Sequence, residues 1–175
     1  MTIYPKYYGG YGSNLDQSQM ATRCPASKII SGVFLLDWQL VFRGVADISP
    51  MLGRRVPFGI YEITEECEGA LDYYEGYPDL YTKIDVDVRI NGAVKSIFTY
   101  TMAKMKGVGP PFEGYFNVMR QGYDDWGFDY QPLIKALEYS VENKENTAYV
   151  SERWNNTQII DQSIQKQIIG KLSDQ

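Results

Sequence analysis

The chain has 175 residues, 44% hydrophobic and 22% charged, with 17 basic against 22 acidic side chains and no histidine. A formal charge of −5 with no basic block argues against nucleic acid as the main partner, because phosphate binding needs clustered Lys and Arg. The missing histidine removes Ser-His-Asp and Cys-His catalysis and imidazole zinc sites, and two cysteines supply neither a metal cluster nor a disulfide framework.

No apolar run approaches the length of about 20 residues that a membrane span needs. Met1 to Gly10 lacks the basic and apolar regions of a signal peptide, so a cytoplasmic protein without membrane contact is expected. Acid–base chemistry must then rest on carboxylates, lysines, thiols or tyrosines.

In chain order, Ser13-Asn14-Leu15-Asp16 has the spacing of a capping box and predicts a helix running towards Arg23. Gly32 to Phe42 and the shorter Phe58 to Ile63 are rich in strand formers. Thr64 can cap a helix that carries Glu65 and Glu66 in its first turn, where the dipole favours anions. Cys67, Ala70, Leu71 and Tyr74 form the apolar face of that helix, and Gly76 and Pro78 end it.

Ile84, Val86, Val88 and Ile90 alternate with Asp85, Asp87 and Arg89, a strand with one buried face. Asn91-Gly92 then predicts a hairpin turn, with Val94 to Met102 as the return strand. Pro111 to Gln121 and Asp129 to Ser140 are further helix candidates. Ile160, Ile164, Ile168 and Leu172 form a stripe near the end, docked on the domain itself or forming a homodimer seam. Strands outnumber helices and hairpin links dominate. The expected class is α+β, a mixed sheet curled into a barrel with helices around it. One domain is expected over residues 1–140, followed by a polar segment and an amphipathic helix over 141–175.

Three segments could carry chemistry. Tyr8-Gly9-Gly10-Tyr11-Gly12-Ser13-Asn14-Leu15 is a glycine-dense turn where backbone can approach a ligand, although a tight strand-to-helix turn accounts for it equally. Glu75 sits at the end of a short helix among four tyrosines. The negative end of the dipole disfavours its charge, and aromatic walls would push its pKa towards that of a general acid/base. An exposed glutamate before a C-cap glycine is the plain alternative. Gly107-Val108-Gly109-Pro110-Pro111 could rim a pocket, with Tyr115 supplying a hydroxyl. Cys24 and Cys67 read as packing residues, and Asp85 with Asp87 as a solvated stripe.

These segments together resemble the γ-glutamylcyclotransferase-like family, from Tyr8 to about Ser140. The resemblance rests on Tyr11-Gly12-Ser13-Asn14-Leu15, Met20 to Pro25, and Phe42-Arg43-Gly44-Val45-Ala46-Asp47. It continues through Val56-Pro57-Phe58-Gly59-Ile60-Tyr61, Leu71-Asp72 with Glu75-Gly76, Pro78 and Tyr81, and Pro110-Pro111 with Tyr115. It implies a barrel-like fold with a cavity at one end and Glu75 as the catalytic acid/base. Tyr8, Gly9, Gly10, Tyr11, Gly12, Ser13 and Asn14 would form the substrate loop, with Tyr81 and Tyr115 also at the substrate.

The implied reaction is cyclisation of a γ-glutamyl amide to 5-oxoproline, releasing an amine or amino acid, with no metal or organic cofactor. Members usually carry an aromatic and an alanine where this chain has Gly9-Gly10, so the shape of the substrate site is expected to differ. Lys83 stands where related sequences often carry arginine, and Asn143 to Gln175 lies outside the resemblance. A second reading keeps the same cavity but makes the protein a binding module for a small polar metabolite or nucleotide-like signal.

Overall fold

A computed structural model describes residues 2–174. Two hairpins and one short strand build its five-stranded sheet. β2 (Lys28–Phe42) and β3 (Ala46–Ile63) form one hairpin, and β4 (Tyr81–Ile90) and β5 (Ala93–Met102) the other. β1 (Lys6–Gly10) lies between them, antiparallel to β3 and parallel to β5, giving the order β2-β3-β1-β5-β4. The fold is α+β. The sheet is curled but not closed: β2 and β4 approach within 8 Å at Cα and share no ladder among the described residues.

Local chemistry accounts for most boundaries. Asn91 and Gly92 both take positive φ at the β4–β5 turn, as an Asn-Gly hairpin requires. Val86, Val88 and Ile90 are buried while Asp85, Asp87 and Arg89 are exposed. β3 is much longer than the predicted Phe58–Ile63. The ladder bulges around Pro50–Gly53, shifting register between Leu36 and Trp38 and placing Asp37 at φ 63°.

The helices surround the curl. α1 (Gln17–Arg23) is preceded by a single 3-10 turn (Ser13–Leu15), so the predicted helix start is displaced. Its cap is Asp16, which accepts from the Gln19 N–H at 2.9 Å; Ser13 turns away to another partner. α2 (Glu65–Glu75) is capped by Thr64, as expected, and ends at Gly76 in the left-handed region, φ 64°. α3 (Glu113–Trp126) packs on the 3-10 turn, α4 (Gln131–Glu142) on β2, and α5 (Gln162–Ser173) on α4. Ile160 and Leu172 are buried, and Ile164 and Ile168 pack against the core, so the stripe docks on its own domain. Cys24 and Cys67 are buried, and burial pushes the Cys24 thiol up to about 12. No helix among the described residues is long and apolar enough to cross a membrane.

The contact of α3 with the 3-10 turn holds the glycine-rich loop in place. A side chain at Gly122 would meet Leu15 Cβ at 2.4 Å and the Asp16 backbone nitrogen at 2.8 Å. Helix propensity alone would make Gly122→Ala stabilising by about 1 kcal/mol. The backbone contacts reverse that sign, and urea denaturation should show a net loss of about 1–3 kcal/mol.

Candidate active site

A cavity of about 410 Å³ opens beside the C-terminal end of β1. Its walls come from the 3-10 turn, the end of α2, the Val45-Ala46 start of β3, β4, β5, α3 and the segment Tyr149 to Trp154. Of the residues singled out from sequence, Tyr8, Tyr11, Gly12, Ser13, Asn14, Glu75, Tyr81 and Tyr115 all line it.

Gly9 and Gly10 do not. They are paired in β1, and a side chain at Gly9 would meet the Phe58 ring at 2.5 Å and Ile97 at 2.7 Å. The space that a wall residue would fill is already occupied by the chain's own core. Gly9 and Gly10, expected in the substrate loop, therefore stand outside the cavity lining. Gly12 is the loop glycine that matters for close approach: a Cβ there would stand 2.9 Å from Tyr115 Oη.

Glu75 is the last residue of α2, and Asn14 is its partner. Arg23 Nη1 donates to Asn14 Oδ1 at 2.8 Å, and arginine has no acceptor, so the orientation of the Asn14 amide is determined. Its Nδ2 then donates to Glu75 Oε1 and to Tyr8 Oη, each at 2.9 Å. The Asn14 carbonyl accepts from Tyr61 Oη at 2.9 Å. The residue Glu75 is half-buried, yet burial of its carboxyl raises the pKa from 4.5 to about 7. Arg23, Arg153 and the Asn14 hydrogen bond all pull the other way, so desolvation outweighs them.

The surrounding phenols are differently employed. Tyr11 donates to the Tyr100 carbonyl at 2.7 Å, Tyr81 to the Ala46 carbonyl at 2.6 Å, and Tyr100 to Asp72 at 2.6 Å. Tyr115 Oη accepts from the Ala46 N–H at 3.0 Å, and its own hydrogen has no acceptor among the described residues. Burial drives the pKa of Tyr8, Tyr11, Tyr81 and Tyr115 far above the ordinary phenol value. They are neutral donors and acceptors, not bases. Glu75 is thus the cavity group that titrates near neutrality.

α2 is oriented by charge on its sheet-facing side. Glu68 accepts from Lys6 at 2.7 Å, Lys83 at 2.6 Å and Tyr4 at 2.7 Å, while Asp72 takes Lys83 at 2.9 Å. Burial raises the Glu68 pKa, but these donors outweigh it and hold the carboxyl at about 2. The sequence reading missed the last wall. Tyr149 to Trp154 lies beyond the family resemblance and contains no helical or strand pattern, so nothing in its text marks it as cavity lining. Trp154 stacks edge-on against Tyr115 with centroids 5.5 Å apart.

A family model described as "Gamma-glutamyl cyclotransferase, AIG2-like" matches residues 10–124. Among solved structures, the chain is similar to a gamma-glutamyl cyclotransferase at 23% identity and a TM-score of 0.65, covering 96% of this chain and 99% of that one. It is similar to an uncharacterized Homo sapiens protein at 24% identity and 0.64, covering 88% and 98%. YkqA from Bacillus subtilis follows at 20% and 0.64, covering 79% and 55%. These likenesses establish the fold. No curated protein matches the sequence.

The raised Glu75 pKa has a stability consequence with a definite sign. Between its unfolded value near 4.5 and its folded value near 7, the native state binds more protons than the unfolded one, so stability falls as pH rises through that window. Glu75→Gln removes the buried charge. Its unfolding free energy should equal wild type below pH 4.5 and exceed it by about 1–3 kcal/mol above pH 7, read from denaturation across pH.

Proposed function

The chain belongs to the gamma-glutamyl cyclotransferase, AIG2-like family, and on that premise we propose that it cyclises a γ-glutamyl amide to 5-oxoproline, with Glu75 as the general acid and base. The observation that carries this reading is a single carboxyl in the cavity whose proton comes off near 7, hydrogen-bonded to the loop asparagine.

The chemistry needs one group that first accepts and then donates a proton. A γ-glutamyl amide carries its own nucleophile, the α-amine, which is protonated at neutral pH and inert. Glu75 as carboxylate takes one proton from that ammonium, and the freed nitrogen attacks the γ-carbonyl carbon to close a five-membered ring. The ring nitrogen gives its second proton to water as the tetrahedral species forms. Protonated Glu75 delivers a proton to the departing nitrogen as the old C–N bond breaks, and water supplies the remaining proton of the released ammonium. No proton is gained or lost overall.

Negative charge develops on the former carbonyl oxygen. The unclaimed Tyr115 hydroxyl hydrogen is the donor suited to it. Tyr81 takes an indirect part: its hydroxyl holds the Ala46 carbonyl while Tyr115 holds the Ala46 N–H, so the peptide units on both sides of Ala46 are fixed at the cavity floor.

Incubation with a panel of γ-glutamyl amino acids and γ-glutamyl amines should release 5-oxoproline and amine in equal amounts. Glu75→Gln should lower kcat by about 10²- to 10⁴-fold, and kcat/KM should rise with pH along a limb centred near 7. A ligand that binds and leaves unaltered would favour the binding-module reading instead, and turnover unchanged in Glu75→Gln would overturn the assignment of the proton transfers to Glu75.

A further inference from the structure

The wall from Tyr149 to Trp154 brings a second cation to the cavity. Arg153 Nη1 donates to the Tyr74 carbonyl at 3.0 Å, and its guanidinium carbon stands 4.0 Å from the Tyr74 ring centroid. The Arg23 guanidinium carbon stands 3.6 Å from the same centroid. The Tyr74 ring thus carries two cations, with its hydroxyl 2.8 Å from Ser13 Oγ.

Neither arginine is in an ion pair among the described residues. Arg23 spends its donors on the neutral amide oxygens of Asn14 and Gln19. Arg153 spends one of its five on a peptide carbonyl. The carboxylates in the lining are Glu75, which loses its charge near 7, and the exposed Glu152. Arg153 is exposed at the rim, whereas the buried Tyr8, Tyr11, Tyr81 and Tyr115 close the inner end. The invariant half of a substrate, with the α-amine that must meet Glu75, fits the closed end; the departing half must extend towards the rim.

Resting on the cyclotransferase reading above, we propose that Arg153 is a specificity-determining residue that binds a carboxylate on the departing amine, so that the substrates are γ-glutamyl amino acids or peptides and not γ-glutamyl alkylamines. A departing amino acid carries its carboxylate one carbon from the scissile nitrogen, and the planar guanidinium can take both of its oxygens. The stack on Tyr74 and the bond to its carbonyl hold the guanidinium before substrate arrives, which limits the ordering cost of binding.

The test compares γ-glutamylalanine with γ-glutamylethylamide, which differ by that carboxylate alone, in wild type, Arg153→Met and Arg153→Lys. Assays run well above pH 7, where Glu75 is ionised whether or not the neighbouring cation remains. Wild type should favour γ-glutamylalanine by about tenfold in kcat/KM, carried by KM, as expected for a charged hydrogen bond discounted for exposure. Arg153→Met should abolish that preference, Arg153→Lys should restore part of it, and added salt should shrink it. Equal losses for both substrates in Arg153→Met, or a preference that survives it, overturn the assignment to Arg153 and leave the cyclotransferase reading intact. A wild type that turns over neither substrate overturns both.

Discussion

The side-chain amide of Asn14 is the junction through which the cavity is assembled. It receives Arg23 on its oxygen and gives its two hydrogens to Tyr8 and Glu75, so α1, β1 and α2 meet at one planar group. Its backbone carbonyl is tied to Tyr61 on β3. All hydrogen-bonding capacity of the amide nitrogen is used, leaving it a single arrangement. These bonds fix the amide in one orientation, and that amide holds the one carboxyl of intermediate acidity at a defined place.

Glu75 depends equally on how α2 is rotated. Glu68, Asp72 and Glu75 follow one another at spacings of four and three, so they lie along one side of the helix. Lys83 reaches Glu68 and Asp72 together, and Lys6 and Tyr4 reinforce Glu68. The strand that carries Lys83 therefore sets the angle at which the last residue of the helix enters the cavity. Lysine serves here as a compact cation between two acceptors, which arginine's planar fork would address differently.

The polar stretch after α4 is part of the same construction. From Glu145 to Ile160 it runs beside the Gly107–Gly114 loop, exchanging backbone hydrogen bonds with Gly107, Val108, Pro111 and Glu113. Arg43 holds Tyr149 through its carbonyl. These bonds replace a helix or strand ladder and bring Trp154 onto Tyr115 and Arg153 onto Tyr74. The residues nearest the open side of the cavity are thus supplied by the least regular part of the chain.

The alternation of Ile84 to Ile90, the Asn91-Gly92 turn, the Thr64 cap and the Glu75-Gly76 helix end were legible in the text because each is decided by neighbours a few residues away. The grouping of the Gly12–Asn14 turn with Glu75 and Tyr115 was legible through family resemblance, and the three lie around one cavity. Other features depended on partners remote in sequence. Whether Ser13 caps a helix or meets Tyr74, whether Gly9 opens a pocket or accommodates Phe58, and whether the Pro50–Gly53 stretch breaks a strand or bulges it are such cases. The acidity of Glu75 belongs with them, since desolvation is a property of the surrounding atoms and not of the glutamate. The placing of Arg153 does too, because a loop without periodicity acquires its position only from the surface on which it lies.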